Sequence, residues 1–196
     1  MEEYLHRPKA KEVWKIIVKK HQNKFWKETC KEDKKNKKTL KYLQLQENIT
    51  KPHNIWHSVK NSEFDVKAGE IKAKIATQTY MVQCQKFKFV KNAATTCPLC
   101  GTEDEDLCHF ILVCAKLSRI RKRHLQKIED YLEKIHKGLY IRIVNENALL
   151  QVIIDCTSSS INFMGRIRSK NYTELEVLTR NFCYDLHRSR MRQMAG

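Results

Sequence analysis

Two short stretches, Thr96-Cys-Pro-Leu-Cys-Gly-Thr102 and His109-Phe-Ile-Leu-Val-Cys114, organise the reading of the whole chain. The first sets two thiols two residues apart, with Gly101 directly behind them to relax the turn. Backbone amides in so tight a turn can donate to the sulfurs. The second adds an imidazole and a third thiol, so Cys97, Cys100, His109 and Cys114 form the pattern C-x2-C-x8-H-x4-C. Three thiolates and one imidazole suit a tetrahedral ion, and soft sulfur and nitrogen donors select zinc over magnesium or calcium. The chain fills all four positions, whereas catalytic zinc keeps one for water or substrate. The expectation is one structural Zn2+ within 95–115, no catalytic residue, and no enzyme.

His109 and Cys114 pose a geometric problem. On a regular helix a five-residue step separates two side chains by roughly 140°, so the spacing predicts a local break or wide turn within 110–113. Cys108 is a rival for His109 in a four-cysteine site, but adjacent residues seldom both reach one ion, and it is read as a buried thiol. Cys30, Cys84, Cys156 and Cys183 have no paired partner in sequence and are read as core or surface thiols.

Outward from the cluster, the chain reads as mainly α: a small helical domain organised around the zinc knuckle, with a basic N-terminal helical arm. Only 5 Gly and 3 Pro punctuate 196 residues, and apolar residues recur at helical spacing. A first helix over 11–30 carries an apolar stripe of Val13, Trp14, Ile17, Val18, His21, Phe25 and Trp26. The charge run at 31–38 should repel itself and stay solvated as a flexible linker, which divides the chain into an arm at 1–38 and a zinc-binding helical domain at 39–196. Residues 39–56 form a short helix or strand. Ser62 caps a helix over 63–89, and one long helix covers 110–136. A further helix spans 145–155, and the last starts at the capping box Thr173-x-x-Glu176 and runs to Arg192, with 158–170 as the loop between.

The 38 Lys and Arg exceed the 22 Asp and Glu by 16, a balance that favours polyanionic partners. Candidate phosphate contacts are Lys31, Lys34, Lys35, Lys37 and Lys38, then Arg119, Arg121, Lys122 and Arg123 beside the cysteine cluster, and Arg188, Arg190 and Arg192. These give backbone contacts and no base code, while Trp14, Trp26, Phe87 and Phe89 stand at spacings that suit core packing. No apolar run approaches the roughly 20 residues of a membrane span, and residues 1–10 lack the apolar stretch of a secretion signal. The expectation is an intracellular protein, nuclear or cytoplasmic, with reduced thiols and no membrane partner.

The segment Ile71-Lys-Ala-Lys-Ile-Ala-Thr-Gln-Thr-Tyr80, followed by Cys97-Pro-Leu-Cys100, an acidic spacer at 103–106 and His109-Phe-Ile-Leu-Val-Cys114, resembles a known family. It is similar to the zinc-binding region that follows the polymerase domain in reverse transcriptases of non-LTR (LINE-like) retrotransposons. Weaker likeness at Tyr42-Leu-Gln-Leu45, Asn54-Ile-Trp56 and 184–190 extends the match over 39–192. The resemblance implies an accessory domain that handles RNA or DNA with little sequence preference, zinc on the four ligands above, and association with a polymerase domain. The chain itself has no Tyr-x-Asp-Asp and no spaced aspartates for two-metal polymerisation. The expectation is therefore a post-polymerase region standing alone. A competing expectation is a scaffold whose N-terminal helix docks on a protein partner.

Overall fold

The computed structural model describes residues 10–43, 51–145, 147–157 and 169–195. Among these the protein is mainly α, with one isolated antiparallel bridge between Thr96 and Asp104. Helix α1 spans Lys11–Asn36 and a 3-10 turn follows at Lys38–Leu40. Helices α2 (Asn54–His57), α3 (Glu63–Ala76) and α4 (Gln83–Lys86) lead to the cysteine cluster. A π turn at His109–Val113 and a 3-10 turn at Ala115–Leu117 precede α5, Ser118–Ile135. Helices α6 (Leu139–Asn145) and α7 (Leu149–Ile154) are short, and α8 (Ser169–Ala195) closes the fold.

Helix α8 is the central element, packed by α5, α3, α2 and α7. Its buried residues Leu175, Thr179, Phe182 and Leu186 recur every three or four positions, as do Arg121, His124, Ile128 and Leu132 on α5. That spacing puts one stripe of each helix on the shared core, where a fully buried Leu, Ile or Phe contributes about 1.5–3 kcal/mol. Gly69 lets α2 approach α3: a Cβ there would stand 2.8 Å from Val59 Cγ2 and 3.3 Å from the Trp56 ring.

The α3–α8 seam also holds buried charge. Lys72 and Glu176, both 0% exposed, form an ion pair at 2.5 Å, and Lys72 also donates to Thr179 Oγ1. Burial opposes the lysine charge, but the Glu176 carboxylate more than offsets it and holds the amine above its usual range. One turn on, buried Arg180 pairs with Asp65 at 2.8 Å and donates to Ser58 Oγ at 2.6 Å. Such pairs lose stability steeply if only one member is removed, because the other is left buried and unpaired.

Several helix limits differ from the sequence expectation. The run at 31–38 is not a flexible linker: α1 continues through it to Asn36. Glu32 and Asp33 break the repulsion by accepting from Asn36 at 2.8 Å and Lys37 at 2.7 Å, each four residues on. The stripe on α1 faces outward, with Val13, Trp14, Phe25 and Trp26 exposed and no residue of the helix buried. Phe87 and Phe89 are likewise exposed instead of core.

The cap of α3 is as expected, Ser62 Oγ accepting from the Asp65 amide at 3.1 Å, but the helix stops at Ala76 and not at 89. Thr77 Oγ1 donates back to Ala73 O, and Gln78 takes a left-handed φ of 52°. The amides of Thr79 and Tyr80 then both donate to Lys74 O, turning Tyr80 into the core. The helix expected over 110–136 is three pieces, and that over 145–155 is interrupted at Asn147, φ 54°. Thr173 lies inside α8 instead of at its start, and Glu176 serves the buried ion pair. Leu45, Ile49 and residues 158–168 of the loop expected over 158–170 fall outside the described residues, while Ser169 and Lys170 belong to α8 instead of that loop. Among those described, no helix is long and apolar enough to cross a membrane.

Candidate metal centre

The knuckle is built on the Thr96–Asp104 bridge. The Cys97 amide donates to Glu103 O at 2.7 Å and the Glu105 amide to Thr95 O at 2.8 Å, while Thr95 Oγ1 donates to Asp104 at 2.6 Å. The loop between reverses at Gly101, whose φ of 71° favours glycine, and whose amide donates to Cys97 O at 2.9 Å. The amides of Cys100 and Leu99 face the Cys97 sulfur, and those of Thr102 and Glu103 face that of Cys100.

The second half-site resolves the five-residue problem. The Cys114 amide donates to His109 O at 2.8 Å, an i to i+5 bond that defines the π turn. Widening the turn by one residue brings Cys114 round toward His109, as the expected wide turn requires. The turn starts at Asp106, whose Oδ1 accepts from the His109 amide at 2.7 Å, an N-cap bond.

The four side chains meet. One donor atom from each of Cys97, Cys100, His109 and Cys114 lies within 4.8 Å of all the others. Cys97 Sγ is 3.8 Å from Cys114 Sγ, and Cys100 Sγ is 3.4 Å from His109 Nε2. The cysteines are free thiols, far beyond the roughly 2.05 Å of a disulfide. Cys108 is outside this set; it is half-buried and lines a neighbouring cavity instead.

Around the donors, each polar group has a task. Glu103 Oε2 stands 2.8 Å from His109 Nδ1, which fixes the ring and turns Nε2 toward the thiols. Thr102 Oγ1 donates to Cys100 Sγ at 3.3 Å; that hydroxyl, with the Thr102 and Glu103 amides, holds the Cys100 thiol down to about 6. Burial pushes the Cys97 thiol up to about 11 against the pull of its amide donors. A cation placed among these sulfurs removes that cost by stabilising the thiolates. The cluster can therefore hold a metal ion.

Two of the expected surface arginines belong to this structure instead. Arg121 is buried, donating through Nε to Ile111 O and through Nη2 to Cys114 O, each at 2.9 Å. It satisfies Ile111 O within the π turn and adds a second donor to Cys114 O, which also accepts from the Leu117 amide at 3.1 Å. Arg190 is also buried and pairs with Glu105. Neither is available for phosphate. Arg119, Lys122, Arg123 and Arg188 are exposed, as are Lys31, Lys35, Lys37, Lys38 and Arg192, with Lys34 half-exposed. Arg123 and Lys37 are ion-paired, to Asp185 and Asp33.

In the sequence Glu103, Glu105 and Asp106 stand out only as an acidic spacer. Asp106-x-x-His109 has N-cap spacing and was legible; the tertiary partners of Glu103 and Glu105 carry no local signal. Compared with known proteins, the chain matches no protein-family model, no curated protein and no solved structure.

Proposed function

We propose that this chain is a zinc-stabilised, nucleic-acid-binding accessory module of the kind that follows the polymerase in non-LTR retrotransposon reverse transcriptases. The observation that carries the zinc reading is the closed set of three sulfurs and one imidazole. A tetrahedron with Zn–S bonds of about 2.3 Å has edges of about 3.8 Å, the separation of Cys97 and Cys114. Every donor comes from the chain, which favours a structural ion over a hydrolytic one.

Nucleic-acid binding is supported by the surplus of 16 positive charges and by the position of the exposed ones. Arg119, Lys122 and Arg123 share one face of α5, directly after Cys114. Arg123 donates to Asp185 at 2.9 Å, and Arg188 stands three residues beyond Asp185 on α8. Arg188 carries its guanidinium over the Tyr184 ring, 5.9 Å from the centroid, so exposed arginines stand on both helices. Binding should rest on phosphates and fall steeply with salt. Titration of the full chain with single- and double-stranded oligonucleotides at several salt concentrations tests this, salt-independent or absent binding contradicting it.

A second reading is favoured by the exposed apolar face of α1. Trp14 and Phe25 on a lysine-rich helix that buries none of its residues suit docking onto a protein partner, such as a polymerase domain. Under that reading Trp14→Ala and Phe25→Ala weaken partner association and leave oligonucleotide affinity unchanged.

A further inference from the structure

A cavity of about 130 Å³ opens beside the cysteine cluster. Its wall joins Tyr42, Gln78 from the end of α3, Val82 and Gln85 around α4, and Asp106 and Leu107 at the start of the π turn. Liquid water occupies about 30 Å³ per molecule, and drug-sized sites begin near 300 Å³. The space suits one flat ring, neither a lone water nor a large ligand.

The lining is that of a ring site. Val82 and Leu107 are apolar, while Gln78, Gln85 and Asp106 carry amide and carboxylate groups of the kind that hydrogen-bond base edges; one atom of each is already engaged, Gln78 Nε2 with Lys38 O, Gln85 Oε1 with Lys88 Nζ and Asp106 Oδ1 with the His109 amide. Tyr80, also on the wall, has its ring engaged, stacked on Phe110 at 5.2 Å and capped by Arg190 at 5.9 Å. Tyr42 is half-buried with Lys41 Nζ over its ring, 5.1 Å from the centroid; Lys41 is exposed, so a base stacking there displaces a flexible side chain. Exposed Lys38, Lys41, Lys86 and Lys91 lie on the same chain segments.

Gln78 takes the left-handed φ of 52° that ends α3. Its Nε2 donates to Lys38 O at 2.7 Å, which ties the segment carrying Tyr42 to α3 and holds the cavity's two sides together.

We propose that this cavity takes one unstacked base of a single-stranded nucleic acid, with Tyr42 as the stacking surface. The proposal rests on the nucleic-acid reading above and adds a base-holding site to its phosphate contacts. The test compares an oligothymidylate of about 12 nucleotides with an abasic strand of the same length, which keeps every phosphate and has no ring. The full chain binds the thymidylate about tenfold more tightly, Tyr42→Ala brings it to the abasic level, and Tyr42→Phe retains the difference. Because Cys84 also lines the cavity as a half-buried free thiol, its alkylation, mapped by peptide mass, slows with the thymidylate and not with the abasic strand; this readout needs no variant. Equal affinity for the two strands with no protection of Cys84 overturns the base site and leaves phosphate binding standing. Binding to neither strand overturns the nucleic-acid reading and the base site with it.

Discussion

Arg190 on α8 and Glu105 in the cysteine loop form a two-pronged ion pair, Nε to Oε1 at 2.7 Å and Nη2 to Oε2 at 2.8 Å. Both side chains are buried, and Glu105 Oε2 also accepts from the Gln83 amide at 2.9 Å. The last helix and the metal-site loop are thus one mechanical unit. Removing the arginine alone leaves a buried carboxylate with a single amide donor, so Arg190→Met costs about 3–5 kcal/mol. Chemical denaturation checks it, and adding Glu105→Gln to Arg190→Met restores much of the loss; a surface-like cost below about 1 kcal/mol contradicts the pairing.

The Glu103 carboxylate meets the candidate donor set at His109. Its removal in Glu103→Ala lowers zinc affinity about 10–100-fold without abolishing binding. Competition against a chromogenic chelator reads this directly, and unchanged affinity shows that the carboxylate does not orient the ring.

Arg121 and Lys122 are neighbours with opposite duties. Arg121→Gln removes a donor pair from two buried carbonyls, at about 1–3 kcal/mol, with no change in the salt dependence of oligonucleotide binding. Lys122→Gln leaves stability within about 0.5 kcal/mol and lowers the salt slope by about one. Denaturation and salt titrations on both variants separate the two roles, and the reverse pattern refutes the assignment.

Two histidines give the fold a pH dependence. Burial holds His124 below the ordinary imidazole range while Asp185 pulls it up; burial, Arg190 and Lys74 all lower His187. The unfolded chain protonates both more readily, so their contribution is complete above about pH 6.5. It is lost as pH falls through the lowered folded values. Comparing unfolding midpoints with pH for the parent and His124→Asn isolates the effect from acid release of metal. The variant's profile is flatter, and an identical slope contradicts the assignment.

The donor set was legible because Cys97, Cys100, His109 and Cys114 obey a local spacing rule, and even the wide turn followed from the five-residue step. Helical class followed from periodicity and few glycines. What stayed hidden depends on distant residues. Nothing local marks Lys72 and Arg180 as buried until Glu176 and Asp65 are placed beside them, and the expected phosphate contacts Arg121 and Arg190 prove buried for the same reason. The stripe on α1 is apolar, as its spacing predicts, but periodicity says which face is apolar and not whether anything covers it. Helix limits at Ala76 and Asn147 turned on left-handed residues other than glycine, which sequence does not announce.

The most direct measurement is the zinc content of the purified chain by elemental mass spectrometry, set against a Cys97→Ser/Cys100→Ser variant, with circular dichroism after chelation. The account predicts one zinc per chain, absent from the variant, with partial loss of helix when the ion is withdrawn. A chain that purifies without zinc, takes none up under reducing conditions and keeps its helicity would contradict it.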